Sequence, residues 1–199
     1  MLTAACGNES GAGASSKPKA PEDGPASVGE GAKTKHQAIK VARVDGEITA
    51  VVNGSRSKWY VTRQYNDDAN SSASKWRDRT ATSAGVTIVG HKAPTTTTVS
   101  GAGEIVLDFA MSIMREDAPA EEVRIDYFPM GLANAYSSNA GGSASVVMKK
   151  VTLKDGVLEL EGAFSGTLPF MSKIGATAPR GMTEFSIEDG VFSAKIRKQ

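Results

Sequence analysis

The fold is decided by the stretch Glu47-Ile48-Thr49-Ala50-Val51-Val52-Asn53-Gly54, which ends in a turn dipeptide. Its β-branched residues favour a strand. Asn-Gly favours the tight turn of a β-hairpin, because both of its residues adopt positive φ at little cost. The chain continues with W-Y-V-T-R-Q-Y at positions 59–65, which is again rich in aromatic and β-branched residues. This pattern predicts two antiparallel strands near the start of a folded domain.

Further strand-like stretches follow, and turn residues separate them. They lie at positions 85–90, 104–110, 123–127, 145–153, 157–166, 183–187 and 191–196. Asp-Gly pairs at 155–156 and 189–190 predict two more turns, and the sequences 66–84 and 91–103 are expected to be loops. Because helical patterns are scarce, residues 38–199 are predicted to form an all-β domain. An antiparallel β-sandwich and a β-barrel, each of about eight or more strands, both fit this pattern.

The composition argues against several classes of protein. The 199 residues carry a formal net charge of +1, and cations and acids are interleaved along the chain, so a nucleic-acid partner is not expected. No apolar run approaches the roughly 20 residues that span a bilayer as a helix. One cysteine allows no intrachain disulfide, and one cysteine with two histidines is too few for a zinc site. We therefore expect neither a metal nor another cofactor.

The single cysteine, Cys6, stands at the head of a segment that is expected not to fold. Residues 7–37 are rich in Gly, Ala, Ser and Pro, and their charges are balanced. Such a segment buries too little apolar surface to offset the entropy lost on ordering, so it is predicted to be a disordered, flexible tether. A core thiol or a catalytic thiol at Cys6 would need neighbours that a tether does not supply.

The residues Leu2-Thr3-Ala4-Ala5-Cys6 resemble the lipobox of bacterial lipoproteins, and residues 1–6 are interpreted as the remnant of its signal. Thr3 stands where leucine is commonest, and the charged and apolar segments that precede this motif in the family are missing. The true start codon is therefore expected upstream of Met1, unless the chain has been trimmed. The resemblance implies acyl chains on Cys6 that fix the protein to a membrane. Because Gly7 rather than aspartate follows the cysteine, it also favours the outer membrane of the cell envelope.

The two ends of the predicted domain carry a second resemblance. The stretch 48–54 with Trp59 looks like the opening of small β-rich bacterial lipoproteins of unknown function. The sequences L-E-G-A-F-S-G-T-L at 160–168 and I-E-D-G-V-F at 187–192 look like their closing hairpin. This resemblance implies a β-rich architecture and no particular activity.

Aromatic residues are the candidate contact sites. Trp59 alternates with Val61 and is expected in the core. Trp76 and Arg77 lie in a polar stretch of the predicted loop 66–84, where an exposed tryptophan can anchor a partner. In the other interpretation, the indole of Trp76 folds back over one end of the sheet. Tyr65 and Tyr136 are two further candidates for partner contact.

A catalytic site is harder to find. His91 follows a predicted strand, where it is either a general base at the rim of a sheet or a loop residue in water, and the second interpretation is preferred. Gly141-Gly142-Ser143-Ala144-Ser145 lacks the last glycine of a nucleophile elbow. Paired acids, such as Asp67 with Asp68, lack the ligand spacing of a calcium loop.

Three hypotheses for function remain open. The first is a non-enzymatic envelope lipoprotein whose β-domain binds a protein or a glycan, for example as an inhibitor or immunity protein. The second is a β-barrel that carries a small apolar ligand. The third is an envelope hydrolase that uses His91 or loop carboxylates.

Overall fold

The computed structural model describes residues 41–66, 69–97, 102–171 and 177–199, and within these ranges most residues lie in strands. The strands are β1 (Val41–Val52), β2 (Ser55–Asn66), β3 (Ala69–Ser72), β4 (Lys75–Thr80), β5 (Ser83–Gly90), β6 (Glu104–Ser112), β7 (Glu121–Phe128), β8 (Tyr136–Ser137), β9 (Ser143–Lys154), β10 (Val157–Pro169) and β11 (Glu184–Arg197). A single 3₁₀ turn at Ser138–Ala140 is the one helical element of this part of the chain.

These strands form two antiparallel sheets. The larger sheet has the order β3-β2-β1-β11-β10-β9, and the smaller has the order β4-β5-β6-β7-β8. The prediction of an all-β, antiparallel fold is confirmed, and of the two architectures that the sequence left open the structure is a β-sandwich.

The predicted hairpin is present and supplies much of the core. Asn53 and Gly54 have φ values of 45° and 77°, as the tight turn between β1 and β2 requires. On one face of these two strands, Ile48 and Trp59 are completely buried, whereas Lys58 is exposed on the other face. Side chains from both sheets fill the space between them, including Ile88, Ile105, Leu107, Ile125, Met148, Leu158, Leu160 and Ile187.

The prediction of a turn at 189–190 is wrong, because these residues lie inside one long strand, β11. The pairing of β11 with β1 skips between Thr49 and Val51, and its pairing with β10 skips between Phe164 and Gly166. Asp189 has a φ of 49° at this point. The Asp-Gly pair therefore forms a β-bulge, which needs a left-handed residue just as a hairpin turn does.

Replacing Gly190 by alanine is expected to destabilise this bulge. A Cβ atom at Gly190 would lie 2.5 Å from the carbonyl oxygen of Phe164 and 2.7 Å from its ring. Such overpacking costs about 1–3 kcal/mol. Gly85→Ala is the matched control, since its nearest neighbour would be 3.5 Å away, on the flexible Arg79 side chain. Urea unfolding of both variants checks this, and equal midpoints would contradict it.

The two sheets are joined along one side of the sandwich. Trp76 in β4 forms a parallel bridge with Lys198, just beyond β11. The backbone N–H of Gln199 donates to the carbonyl oxygen of Trp76 at 3.0 Å. We call this junction the seam. It places the outer strand of the smaller sheet beside the end of the central strand β11.

A short segment covers part of the outer strand β9. Pro119 pairs with Val147, the N–H of Ala120 donates to the carbonyl of Val146 at 2.8 Å, and the N–H of Met148 donates to that of Ala118 at 3.1 Å. The middle of β9 therefore has backbone partners on both sides.

Candidate functional site

Trp76 does not lie on an exposed loop. The predicted loop 66–84 instead contains β3, β4 and the start of β5. Trp76 is 2% exposed, its indole N–H donates to the carbonyl oxygen of Gly156 at 3.3 Å, and Lys198 Nζ lies 5.2 Å from the ring centroid. Because side chains alternate along β4, Trp76 points inward while Lys75 and Arg77 point outward. The prediction of Trp76 as an exposed contact residue is therefore wrong. The other interpretation is right that the indole is buried, but the ring is placed by strand β4 and does not fold back from a loop.

Tyr136 is also buried, so its prediction as a surface contact is wrong. Its side chain has no exposed area, and its hydroxyl donates to the carbonyl oxygen of Met182 at 2.7 Å. Its ring centroid lies 4.6 Å from that of Phe185 and 5.3 Å from that of Phe170. Aromatic packing of this kind is favourable at these distances, which explains why the residue lies inside.

The other predicted contact residues have different outcomes. Cys6 lies outside the described residues. Tyr65 belongs to β2, but its side chain is outside the described part of the chain. Arg77 is exposed and lines a shallow pocket of about 340 Å³. In that pocket Arg79 pairs with Glu122 at 2.9 Å. Of the named contact residues whose side chains are described, Arg77 alone is on the surface.

His91 is not a loop residue in water, so the preferred interpretation of it is wrong. Its side chain is 1% exposed, and its Nδ1 lies 2.8 Å from Oε1 of Glu104, whose side chain is 2% exposed. Two backbone hydrogen bonds with Tyr60, of 2.8 and 2.9 Å, hold His91 against β2. No hydrogen-bond partner is found for His91 Nε2 among the described residues. The pair is closed off from solvent, and a substrate does not reach it in this structure.

A tryptophan and a lysine lie close to this pair in the fold. The indole N–H of Trp59 donates to the carbonyl oxygen of Gly103 at 2.5 Å, and Lys92 Nζ lies 4.1 Å from the centroid of the indole. Burial lowers the pKa of Lys92, and its position over the ring offers a cation–π contact. The ends of β5 and β6 are thus joined to the core through residues 91, 92, 103 and 104. Glu104 was missed from the sequence, because it precedes an apolar strand and resembles an ordinary polar strand end.

A polar site lies at the seam. It is a pocket of about 360 Å³ that we call the cationic pocket. The charged residues that line it are Asp45, Arg63, Lys75, Lys195, Arg197 and Lys198. They come from β1, β2, β4 and the end of β11, so four separate parts of the sequence build one surface.

Three of the five cations in the cationic pocket have acidic partners. Arg63 forms a two-point ion pair with Asp45, with N···O distances of 2.7 and 3.2 Å. Lys195 Nζ lies 2.7 Å from Oε1 of Glu159, and Lys198 pairs with Asp78. The hydrogen bond to Glu159, with a smaller electrostatic contribution from Asp45, raises the pKa of Lys195.

Lys75 and Arg197 are the two remaining cations. Both are exposed, and neither has an ion pair with another residue of the described ranges. Gln199 also lines the pocket. Within the described residues, these are therefore the two cations of the cationic pocket that no acidic side chain pairs. The run Lys195-Ile196-Arg197-Lys198 is the one local signal for them in the sequence.

Comparisons with known proteins leave the site to be judged on its own geometry. No protein-family profile matches the chain, and neither a curated protein nor a solved structure is significantly similar to it. Within residues 41–66, 69–97, 102–171 and 177–199, no group of three or more His, Cys, Asp or Glu side chains could hold a metal ion. The same ranges contain no helix long and apolar enough to cross a bilayer.

Proposed function

We propose that this protein is a non-enzymatic binding module of the bacterial cell envelope, held at the outer membrane by acyl chains on Cys6. The observation that supports the binding role is the cationic pocket, in which two cations have no acidic side-chain partner among the described residues and stand on a framework of paired strands. Function often resides in polar groups displayed by such a rigid scaffold. The partner in this proposal is a protein or a glycan of the envelope, and an inhibitor or immunity protein is one concrete form.

The anchor is supported by the sequence around Cys6. Each buried CH₂ of an acyl chain contributes about 0.8 kcal/mol, so two or more chains hold a folded domain firmly at a membrane. In this proposal residues 7–37 act as the linker between membrane and domain.

Two features favour binding over the alternatives. The hydrolase hypothesis relied on His91, which lies in the core beside Glu104 and is closed to substrate in this structure. The carrier hypothesis requires an interior cavity, whereas apolar side chains from both sheets fill the space between them.

A Cys6→Ser substitution tests the anchor. The gene is expressed from its native locus with the in-frame codons upstream of Met1, and cells are labelled with a clickable fatty acid. We expect the label to be incorporated into the unsubstituted protein and lost in the serine variant, because only the thiol accepts the first acyl group. Ser10→Ala, in the same N-terminal segment, is the matched control and should keep the label. Absence of label on the unsubstituted protein would overturn the anchor.

A further inference from the structure

We propose that the cationic pocket binds a phosphomonoester group. This inference rests on the proposed role as a binding module and names the chemistry of the ligand. It does not depend on the acyl anchor at Cys6.

The geometry brings two like charges together at the seam. Trp76 and Lys198 form a parallel bridge, so the residues that precede them, Lys75 and Arg197, lie side by side. Both line the cationic pocket. Neighbouring like charges repel each other, and an acidic residue at either position would remove that cost. The protein keeps this repulsion although it costs stability. Such a cost is expected at a binding site, where an anionic ligand would relieve it.

The other cations are held in place by their partners. The fork of Arg63 is fixed on Asp45, with side-chain exposures of 12% and 17%. Lys198 is held between Asp78 and the Trp76 ring. The pocket therefore has a pre-formed positive wall, which lowers the conformational entropy lost when a ligand binds.

The charges of Lys75 and Arg197 indicate which type of anion fits the pocket. Two cations that no acidic side chain of the described residues pairs match a group that carries between −1.5 and −2 charges at about pH 7, as a phosphomonoester does. A carboxylate or a phosphodiester carries a single charge and would leave one cation unmatched. Arg197 also offers the planar donors that bind two phosphate oxygens at once. A pocket of about 360 Å³ is large enough for a phosphate with part of the molecule that bears it.

The test uses the full chain, isotopically labelled, in NMR titrations at pH 7.5 and constant ionic strength. Inorganic phosphate is the first probe, and acetate is the monoanion for comparison. We expect phosphate to shift the backbone signals of Lys75, Arg197 and Lys198, and acetate to shift them at least tenfold more weakly. Lys75→Gln and Arg197→Gln should each weaken phosphate binding about tenfold, because each removes one charge-assisted hydrogen bond.

The matched controls are Lys149→Gln and Arg56→Gln, which remove exposed cations outside the pocket. Both should bind phosphate as the unsubstituted protein does. Equal weakening by the control and pocket variants, or unchanged binding in both pocket variants, would overturn the proposal and leave only non-specific attraction.

A second experiment separates the possible sources of the phosphate. Phosphatidylcholine vesicles with about 20% phosphatidic acid present a phosphomonoester on a lipid, and glucose 6-phosphate presents one in solution. Pocket-dependent sedimentation with the vesicles alone assigns a lipid headgroup, and pocket-dependent NMR shifts with the sugar phosphate assign a soluble ligand. If neither shows pocket dependence, the phosphomonoester assignment fails. Fatty-acid labelling at Cys6 would still test the anchor of the proposed function separately.

Discussion

Replacing Trp59 by alanine is expected to lower the free energy of unfolding by about 4 kcal/mol. The side chain has no exposed area, and it lies in the hairpin that begins the larger sheet. The substitution removes the indole donor to the carbonyl of Gly103, the edge contact with the ring of Tyr127 at 6.2 Å, and the ring beneath Lys92. A loss of this size is a large part of the roughly 5–15 kcal/mol that stabilises a typical domain.

Chemical denaturation, followed by circular dichroism, measures this loss. Tyr60→Ala is the matched control, because Tyr60 is the next residue of β2, is half-buried, and faces the other side of the sheet. Its midpoint should shift much less than that of Trp59→Ala. Trp59→Phe should give an intermediate loss, since most of the packing stays while the indole donor is lost. Equal midpoints for the two alanine variants would mean that Trp59 does not anchor the core.

Replacing Glu104 by alanine is expected to cost about 3 kcal/mol, because it leaves the buried His91 without the carboxylate on Nδ1. The double variant His91→Leu/Glu104→Leu should be much closer in stability to the unsubstituted protein, since it removes both polar groups and keeps apolar volume in the core. The two residues should therefore be strongly coupled.

A double-mutant cycle measures this coupling. It compares His91→Leu, Glu104→Leu and the double variant by urea unfolding, alongside Glu104→Ala. Glu161→Ala is the control, because Glu161 is a half-exposed acid whose ion pair with Lys150 is 3.5 Å long, and it should leave the midpoint unchanged. Additive effects of the two leucine substitutions would contradict a buried, mutually dependent pair.

Turn dipeptides and strand-like stretches made the fold largely predictable from the sequence. Asn53-Gly54 and Asp155-Gly156 predicted hairpin turns, and both connect antiparallel neighbours in the structure. The third dipeptide, Asp189-Gly190, predicted a turn and formed a bulge. Both features need a residue with positive φ, so the sequence cannot tell them apart without the strands on either side. The prediction of a loop at 69–80 was wrong for another reason. Edge strands carry outward-facing charged side chains, so their sequences resemble those of loops.

The candidate site could not be predicted, because it depends on topology. Asp45 and Arg197 are far apart in the sequence, yet β1 and β11 are neighbours in the sheet. The sequence shows cations interleaved with acids. The fold pairs three pocket cations with acids, and in the part of the chain that the structure describes it gives Lys75 and Arg197 no acidic side-chain partner. Trp76 was noticed for its polar neighbours, and those neighbours, rather than the indole, contribute to the surface.

The segment around Pro119 also affects how this protein behaves at high local concentration. Edge strands of a sheet expose unpaired backbone N–H and C=O groups that can pair with another chain. Pro119 and its neighbours occupy those groups at the middle of β9, and the lysines at 149, 150 and 154 keep the uncovered remainder charged. Copies of the domain at high concentration would then repel each other at this strand rather than join their sheets.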